Sequence, residues 1–346
     1  MNYFTEISFP ALGINMNPSQ SFQIGTLSIH WYGVLIAVGL LLAVLYACGR
    51  SKEFGLHEDD LIDGVLCIVP FAVICARLYY CIFKWDSYAS NPLSILYIWE
   101  GGLAIYGGVI GAAVGIVVFS LVKKKKVRLT AVLDITSLGF LIGQSVGRWG
   151  NFLNREAFGA RTEVFCRMGL MNTLTGQVEY YHPTFLYESI WNLYGFFLLH
   201  FLSKKRKYDG QLALGYVAWY GLGRTFIEGL RTDSLMWGPV RVSQMLAALS
   251  CFAAVVVLIV MMFRQHDPQK LFVNVRAAQL EEETKLEALK KDCECKGENS
   301  RKLRKSDQAA QAEEVEVTEE VAEDVAEEVS EEVAEETAEE VEAADE

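Results

Sequence analysis

The sequence predicts an all-α polytopic membrane protein of about seven transmembrane helices, with a small extracytoplasmic cap, an outer N-terminus and a cytoplasmic C-terminus. Two observations predict this class. Hydrophobic residues make up 52% of the 346-residue chain, and they fall into runs of about 20 residues, the length that crosses a bilayer. Basic residues recur in every second loop between those runs, and such loops indicate the orientation of the chain.

Seven apolar runs are long enough to form the spans. They cover residues 29–48, 61–83, 102–122, 131–147, 185–203, 211–229 and 242–263. The fourth run is the weakest, because it is short and contains Asp134, Ser137 and Gln144. Polar side chains are costly in contact with lipid, so we expect this helix inside the bundle.

The loops after the odd-numbered spans are all basic. Their lysines and arginines occupy positions 50, 52, 123–126, 128, 204–207 and 264. The positive-inside rule places these loops in the cytoplasm. The N-terminus and the segments 84–101, 148–184 and 230–241 then lie outside. Because the segment 148–184 is too long for a simple connector, it is predicted to form the cap.

The charge distribution separates a membrane domain from a tail. The net charge is −12, but residues 307–346 contain 19 Asp and Glu and no Lys or Arg, so the rest of the chain has a net charge of +7. Residues 1–267 are predicted to form the membrane domain. Residues 268–346 are predicted to form a cytoplasmic charged tail, with a short helix at 275–292 followed by an acidic low-complexity segment.

A polar stripe extends into the membrane from the outer end of the sixth run. Tyr220, Arg224, Glu228 and Arg231 are spaced four, four and three residues apart, which predicts that they share one face of a helix. An ion-paired helix end explains Arg231. Arg224 lies about two turns deeper, where an uncompensated arginine costs at least about 2.5 kcal/mol. A functional site is therefore the better interpretation.

A second polar cluster follows the fourth run, in the sequence GRWGNFLNREAFG at residues 147–159. Arg148, Asn151, Asn154 and Glu156 supply hydrogen-bond donors and acceptors between glycines that allow close approach of the backbone. An ordinary outer turn with interfacial aromatic residues fits one or two such side chains but not four. Both clusters predict an arginine-containing site at the outer surface.

A third motif, GGLAIYGGVIG at residues 101–111, opens the third run. Small residues at 107, 108, 111, 112 and 115 predict a face that packs closely against another helix. Tyr106 adds a hydroxyl near the outer surface, where an interfacial tyrosine would also lie. Packing alone explains this motif.

Together these segments resemble the prolipoprotein diacylglyceryl transferases, bacterial membrane enzymes that lipidate lipoprotein precursors. GRWGNFLNREAFG is similar to the family signature G-R-x-G-N-F-x-N-x-E-x-x-G. The order HWYG, GGLAIYGG, GQSVGRWGNFLN, HPTFLYE and YGLGRTFIEGLRTD also follows the family order. The resemblance covers about residues 20–263 and leaves out the acidic tail.

The resemblance implies a transferase reaction. The diacylglyceryl group of phosphatidylglycerol would pass to the lipobox cysteine thiol of a prolipoprotein signal peptide, forming a thioether and releasing glycerol phosphate. It implies a multi-pass enzyme of the bacterial cytoplasmic membrane, with phosphatidylglycerol, signal peptides and membrane lipids as partners and no nucleic acid. Because the substrate supplies the nucleophile, neither a cofactor nor a metal ion is expected.

The resemblance also assigns roles to residues. Arg148 and Arg224 match essential arginines, and we expect them to hold the phosphate. The expected catalytic residues are Arg148, Arg224, Glu228, Tyr106 and Glu156. The expected lipid-binding residues are Arg148, Asn151, Asn154, Gly159, Tyr32, Tyr220 and Arg231. Many members have histidine in place of Tyr106. The residue that accepts the thiol proton therefore stays open between Glu156, Glu228, His182 and a tyrosine.

Two other classes of function would also explain some of these features: one explains the charges inside the membrane and the other the charged tail. A transporter or channel would explain the charges, but it predicts repeated, interrupted helices, and the sequence has no convincing internal repeat. A scaffold that binds partners through its acidic tail does not explain polar motifs on the opposite side of the membrane.

Overall fold

The structure is a computed structural model that describes residues 4–25, 27–89, 91–97, 102–123, 126–232, 236–238 and 240–291. The chain divides into two compact units, Met1–Ala277 and Ala278–Glu346. In the second unit the described residues, 278–291, are helical. The acidic low-complexity segment predicted from the sequence lies outside the described residues.

Seven long helices are present among the described residues of the first unit. They are α1 (Trp31–Arg50), α2 (Glu58–Phe83), α4 (Ile105–Val122), α5 (Leu129–Asn154), α6 (Thr184–Ser203), α7 (Gln211–Leu230) and α8 (Val242–Met262), with the single turn α3 (Trp85–Tyr88) after α2. Six of them begin and end within a few residues of a predicted run. α5 continues well beyond its predicted end at residue 147.

The helices have the composition of a polytopic membrane protein. Among the described residues, Trp31–Phe54, Glu58–Phe83, Leu129–Asn154 and Val242–Met262 are long and apolar enough to cross a membrane, and Tyr106–Val122 is apolar but shorter. α6 and α7 are 20 residues long but contain buried acids that lower their hydropathy. Half of the residues in the most apolar 18-residue stretch of α5 are buried, compared with 6% of those in the corresponding stretch of α1. This burial confirms that α5 lies inside the bundle.

The prediction of an all-helical chain is incomplete, because four strands form an antiparallel sheet beside the end of α5. The strands are β1 (Phe4–Phe9), β2 (Ile14–Met16), β5 (Met168–Asn172) and β6 (Gln177–Tyr181), in the order β2-β1-β5-β6. Two hairpins, β3–β4 (Ser21–Ile24, Leu27–His30) and β7–β8 (Met236–Trp237, Val240–Arg241), complete the strands described. The pairing of β1 with β5 joins distant parts of the chain, which local sequence patterns do not predict.

We call this sheet together with residues 155–183 the cap, and the adjoining end of the bundle the cap end. Ile7 and Leu170 of the sheet are fully buried against Phe152 of α5 and Phe185 of α6. α5 runs through Asn154 and ends because Arg155 adopts the left-handed conformation, with φ +55°. The cap therefore begins after Asn154 rather than at residue 148.

At the opposite end, which we call the basic end, α5 caps α7. Asp134 is fully buried, and its carboxylate accepts hydrogen bonds from the backbone N–H groups of Gly210, Leu212 and Ala213 at 2.8–2.9 Å. These groups lie at the start of α7, where the helix itself supplies no acceptors. The polar character of the fourth run thus reflects a helix cap supplied by a neighbouring helix.

α2 and α4 pack closely, as the small residues of α4 predict. A Cβ atom on Gly107 would lie 2.5 Å from the carbonyl oxygen of Cys75, and one on Gly111 would lie 2.6 Å from the Cβ of Cys75. Beside this contact, the buried Arg77 guanidinium donates to the carbonyl oxygens of Ser94, Ile95, Tyr97 and Gly102. Arg77 therefore organises the connection between the two helices.

Candidate functional site

The predicted polar stripe lies on the last turns of α7. Arg224 and Glu228 are one turn apart, and Arg224 Nη2 lies 2.6 Å from Glu228 Oε2. Glu228 is almost completely buried. A buried carboxylate needs a cationic partner, and Arg224 meets that need. The spacing correctly predicts that Arg224 and Glu228 share one face of the helix, and the structure shows that they form an ion pair.

Glu188 of α6 joins this stripe to the second polar cluster. Arg148 of α5 donates through Nη2 to Glu188 Oε1, and Arg224 donates through Nη1 to Glu188 Oε2 at 3.1 Å. The Glu188 side chain is 4% exposed, while those of Arg148 and Arg224 are 20% and 17% exposed. One buried carboxylate thus holds two arginines from different helices side by side, at a site that solvent or a ligand reaches in part.

The end of α5 places three polar side chains around Glu156. The Nδ2 groups of Asn151 and Asn154 donate to Glu156 Oε1 at 3.0 and 3.2 Å. Arg148 Nη1 in turn donates to Asn151 Oδ1 at 3.3 Å. The left-handed turn at Arg155 brings Glu156 back towards the helix. The backbone N–H of Glu156 donates a hydrogen bond to the carbonyl oxygen of Asn151. Glu156 itself is exposed.

Two tyrosines complete this arrangement, which we call the arginine site. Tyr32, in the first turn of α1, packs so closely on Gly150 of α5 that a Cβ atom there would overlap its ring. Its hydroxyl lies near Glu156 and Arg148. Tyr220 of α7 interacts with Glu188 and with both arginines. Close packing at Gly150 is therefore what brings α1 to the site.

The structure places the remaining predicted residues outside these contacts. Gly159 and Arg231 face each other as a β-bridge, beside which Ala160 donates its N–H to the Leu230 carbonyl oxygen at 2.7 Å. Arg231 was expected on the helical face of the stripe, which is wrong because α7 ends at Leu230 and Arg231 has extended backbone angles. The bridge instead fastens the cap to the end of α7.

Tyr106 lies on a different part of the bundle surface. It belongs to the first turn of α4, is 54% exposed and has its ring centroid 6.5 Å from that of Tyr79 on α2. Among the described residues, no hydrogen bond or ion pair joins Tyr106 to the arginine site. The geometry therefore does not support the catalytic role expected for it.

Two residues near the site, Glu188 and Arg155, were not predicted from the sequence. Glu188 lies within HPTFLYE, inside an apolar helix, where a carboxylate signals a cationic partner. That signal was present in the sequence. Arg155 is 5% exposed, and its Nη2 donates to Asn17 Oδ1 and to the Pro18 carbonyl oxygen, both at 2.8 Å. No local pattern indicates this contact with the N-terminal segment.

An apolar cleft opens between α1, α2, α4 and α5, with a volume of about 530 Å³. Leu40, Ala76 and Gly108 are among the residues that line it, and Gln144 supplies one of its few polar groups. Gln144 lies one helical turn from Arg148 on α5. The cleft and the arginine site are therefore neighbours along the same helix. Within the described residues, no cluster of three His, Cys, Asp or Glu side chains is suited to hold a metal ion.

Comparison with known proteins identifies the family. The model for prolipoprotein diacylglyceryl transferases matches residues 19–260. Three similar curated proteins, each named phosphatidylglycerol–prolipoprotein diacylglyceryl transferase, come from Listeria monocytogenes serotype 4a (strain HCC23), Limosilactobacillus reuteri (strain DSM 20016) and Bacillus velezensis. They are 41%, 43% and 44% identical over 254, 256 and 260 residues. The alignments cover 72%, 71% and 73% of this chain and 91%, 91% and 94% of the relatives. The chain therefore belongs to the prolipoprotein diacylglyceryl transferase family.

Proposed function

We propose that this protein transfers the diacylglyceryl group of phosphatidylglycerol to the cysteine thiol of prolipoproteins, the reaction that the names of its relatives describe. The observation that carries the proposal is the pair of arginines, Arg148 and Arg224, held on the single buried carboxylate of Glu188. Such a pair inside an apolar bundle suits a substrate that is both a lipid and a phosphodiester.

The reaction replaces a C–O bond by a C–S bond. The thiolate of the precursor attacks the glyceryl carbon that carries the phosphate ester oxygen. The electron pair of the broken C–O bond stays on that oxygen, and glycerol phosphate leaves with an added negative charge. Arg148 and Arg224 would stabilise this charge, because guanidinium groups bind phosphate in a bidentate manner and preorganised cations act strongly where water is excluded.

Glu156 is the residue that we propose accepts the thiol proton. Glu188 and Glu228 are held in ion pairs with arginines and are almost completely buried, so an incoming thiol reaches them less easily than it reaches Glu156. Glu156 accepts hydrogen bonds from two neutral amides instead and is exposed to an incoming thiol. His182 instead bonds the Tyr187 hydroxyl within the cap, and burial lowers its pKa from that of a free histidine.

The apolar cleft suits an acyl chain of the lipid. Aliphatic side chains such as those of Leu40, Val65 and Ile68 line the cleft. A flexible hydrocarbon chain can fill an apolar space of about 530 Å³. With its polar head beside Gln144, such a chain would place the phosphate near Arg148.

For the membrane we propose seven spans, with the cap end outside a bacterial cytoplasmic membrane. The basic loops lie at the other end of the helices, so the cap, the arginine site and the N-terminus face outwards. Residues 1–267 would form the catalytic membrane domain and residues 268–346 the cytoplasmic tail. Phosphatidylglycerol and the lipobox cysteine of a signal peptide would meet at the outer surface of the membrane.

Cysteine labelling tests this topology. Cys166 is exposed in the cap, whereas Cys295 belongs to the tail. In intact cells, a membrane-impermeant maleimide is expected to label a variant that keeps only Cys166, and a variant that keeps only Cys295 is expected to react only after permeabilisation. The opposite pattern would reverse the proposed orientation.

Mass spectrometry tests the reaction and its base. The purified protein, given phosphatidylglycerol and a lipobox peptide, is expected to increase the peptide mass by one diacylglyceryl group. Glu156→Gln keeps a carbonyl oxygen for Asn151 and Asn154 but cannot take a proton, so we expect kcat to fall about 10²-fold or more. The loss should shrink near pH 9, where a thiol ionises without help.

Tyr106→Phe is the matched comparison for Glu156→Gln, and we expect it to keep its activity. A protein of normal yield that never changes the peptide mass would refute the proposed reaction. Normal kcat for Glu156→Gln, with a loss for Tyr106→Phe, would instead assign the base to Tyr106.

A further inference from the structure

The sheet of the cap has one covered edge and one open edge. Residues next to β6 cover its outer side, since Thr162 donates its backbone N–H to the Tyr180 carbonyl oxygen at 3.0 Å and Arg161 forms a β-bridge with Tyr181. β2 forms the opposite edge and pairs only with β1 among the described residues. All three β2 residues, Ile14–Met16, are exposed.

A buried arginine fixes the open edge next to the arginine site. Asn17 and Pro18 follow β2 directly and receive both hydrogen bonds from Arg155 Nη2. Arg155 itself precedes Glu156, the proposed base. Gln20 adds a second link, donating through Nε2 to the Asn154 carbonyl oxygen at 3.4 Å. The end of β2 is therefore held beside the place where the substrate thiol would lose its proton.

We propose that the open edge of β2 binds the extended segment that follows the acceptor cysteine in a prolipoprotein, through main-chain hydrogen bonds. This inference rests on the proposed function, because it places the cysteine at Glu156. The peptide would add a fifth strand to the sheet. Peptides add to open sheet edges in this way in several unrelated protein families.

The geometry suits this occupant. A strand that pairs with β2 lies about 4.8 Å from it, so one end of that strand is level with Met16 and Asn17, next to the arginine site. Three residues of β2 span about 10 Å, which corresponds to a short stretch of peptide just after the cysteine.

Main-chain recognition also suits an enzyme that modifies more than one precursor. Backbone hydrogen bonds supply affinity without regard to side chains. β1 and β2 precede residue 19, where the match to the family model begins. The open edge is thus a feature of this chain that the family match does not include.

Backbone methylation of the substrate tests the proposal. In a strand, the N–H groups of alternate residues point to the same side. Two lipobox peptides would be compared with the unmodified one, with N-methyl groups on the second and fourth residues after the cysteine or on the third and fifth. We expect one peptide to show a KM raised about fivefold for each hydrogen bond lost, and the other to show little change.

The remaining measurements separate this inference from its alternatives. The KM for phosphatidylglycerol and the kcat should not change, and a peptide with the same residues shuffled after the cysteine should behave like the original. Equal KM values for both methylated peptides, or a KM raised by shuffling, would overturn edge binding. Absence of transfer to the unmodified peptide would instead refute the proposed function.

Photocrosslinking locates the contact directly. A photoreactive residue at Asn15 is expected to crosslink to the peptide residues that follow the cysteine. The same residue at Leu174, which is exposed in the turn between β5 and β6, should give no such product. Crosslinking from Leu174 but not from Asn15 would place the peptide elsewhere on the cap and overturn the proposal.

Discussion

Glu188→Gln is expected to lower kcat about 10²-fold while leaving the protein folded. Glutamine has nearly the same shape as glutamate and still offers one acceptor, but it removes the charge that Arg148 and Arg224 share. Without that charge the two guanidinium groups repel each other and move apart. Displacements of about 1 Å at a reacting centre cost rate factors of this size.

The measurement is single-turnover transfer, followed by mass spectrometry of the peptide. Ser189→Ala is the matched control, because Ser189 is also buried in α6 and bonds Ser145 of α5, but it does not contact the arginines. Its transfer rate should stay close to that of the unchanged protein. If Glu188→Gln also kept that rate, the shared carboxylate would not be what positions the arginines.

Glu188→Ala is expected to act mainly on stability, in contrast to the glutamine variant. Glutamine keeps one acceptor oxygen for a guanidinium group, whereas alanine removes both acceptors and leaves a void, and losing a buried partner in this way costs about 3–5 kcal/mol. Comparing the two variants therefore distinguishes two roles of Glu188: positioning the arginines, and stabilising the packing of α6 against α5 and α7.

The helices were predictable because their signals are local. Hydropathy over about 20 residues locates a span, and helical periodicity placed Arg224 and Glu228 on one face of a helix, where the guanidinium lies 2.6 Å from the carboxylate. The same periodicity fails for Arg231. It assumes that the helix continues, whereas α7 ends at Leu230 and the chain turns to meet Gly159.

Contacts between distant segments were not predictable in this way. β1 pairs with β5, and several bundle helices separate the two strands along the chain. Strands of three to six residues are also too short to show a clear alternation of apolar and polar residues. Glu188 falls between these two cases, because only part of its environment could be predicted. Its burial in an apolar helix indicated a cation, but the sequence did not say that the cation would be two arginines from two other helices.

Gly159→Ala is expected to lower both the melting temperature and the activity. A methyl group there would lie 2.7 Å from the Cβ of His182 and 3.0 Å from the carbonyl oxygen of Leu230. The backbone cannot yield easily, because Ala160 donates to the Leu230 oxygen at 2.7 Å and accepts from the His182 N–H at 3.1 Å. Overpacking of this kind typically costs about 1–3 kcal/mol.

Gly49→Ala provides the control, since Gly49 lies within α1 and a Cβ atom there would meet nothing within 4 Å. Thermal unfolding in detergent and peptide transfer would be measured for both variants. The two measurements together distinguish the possible roles of Gly159. If its backbone touched the lipid without fastening the cap, Gly159→Ala would raise the KM for phosphatidylglycerol at an unchanged melting temperature. We expect the melting temperature to fall, because Gly159 is the cap residue that meets the end of α7, the helix that carries Arg224.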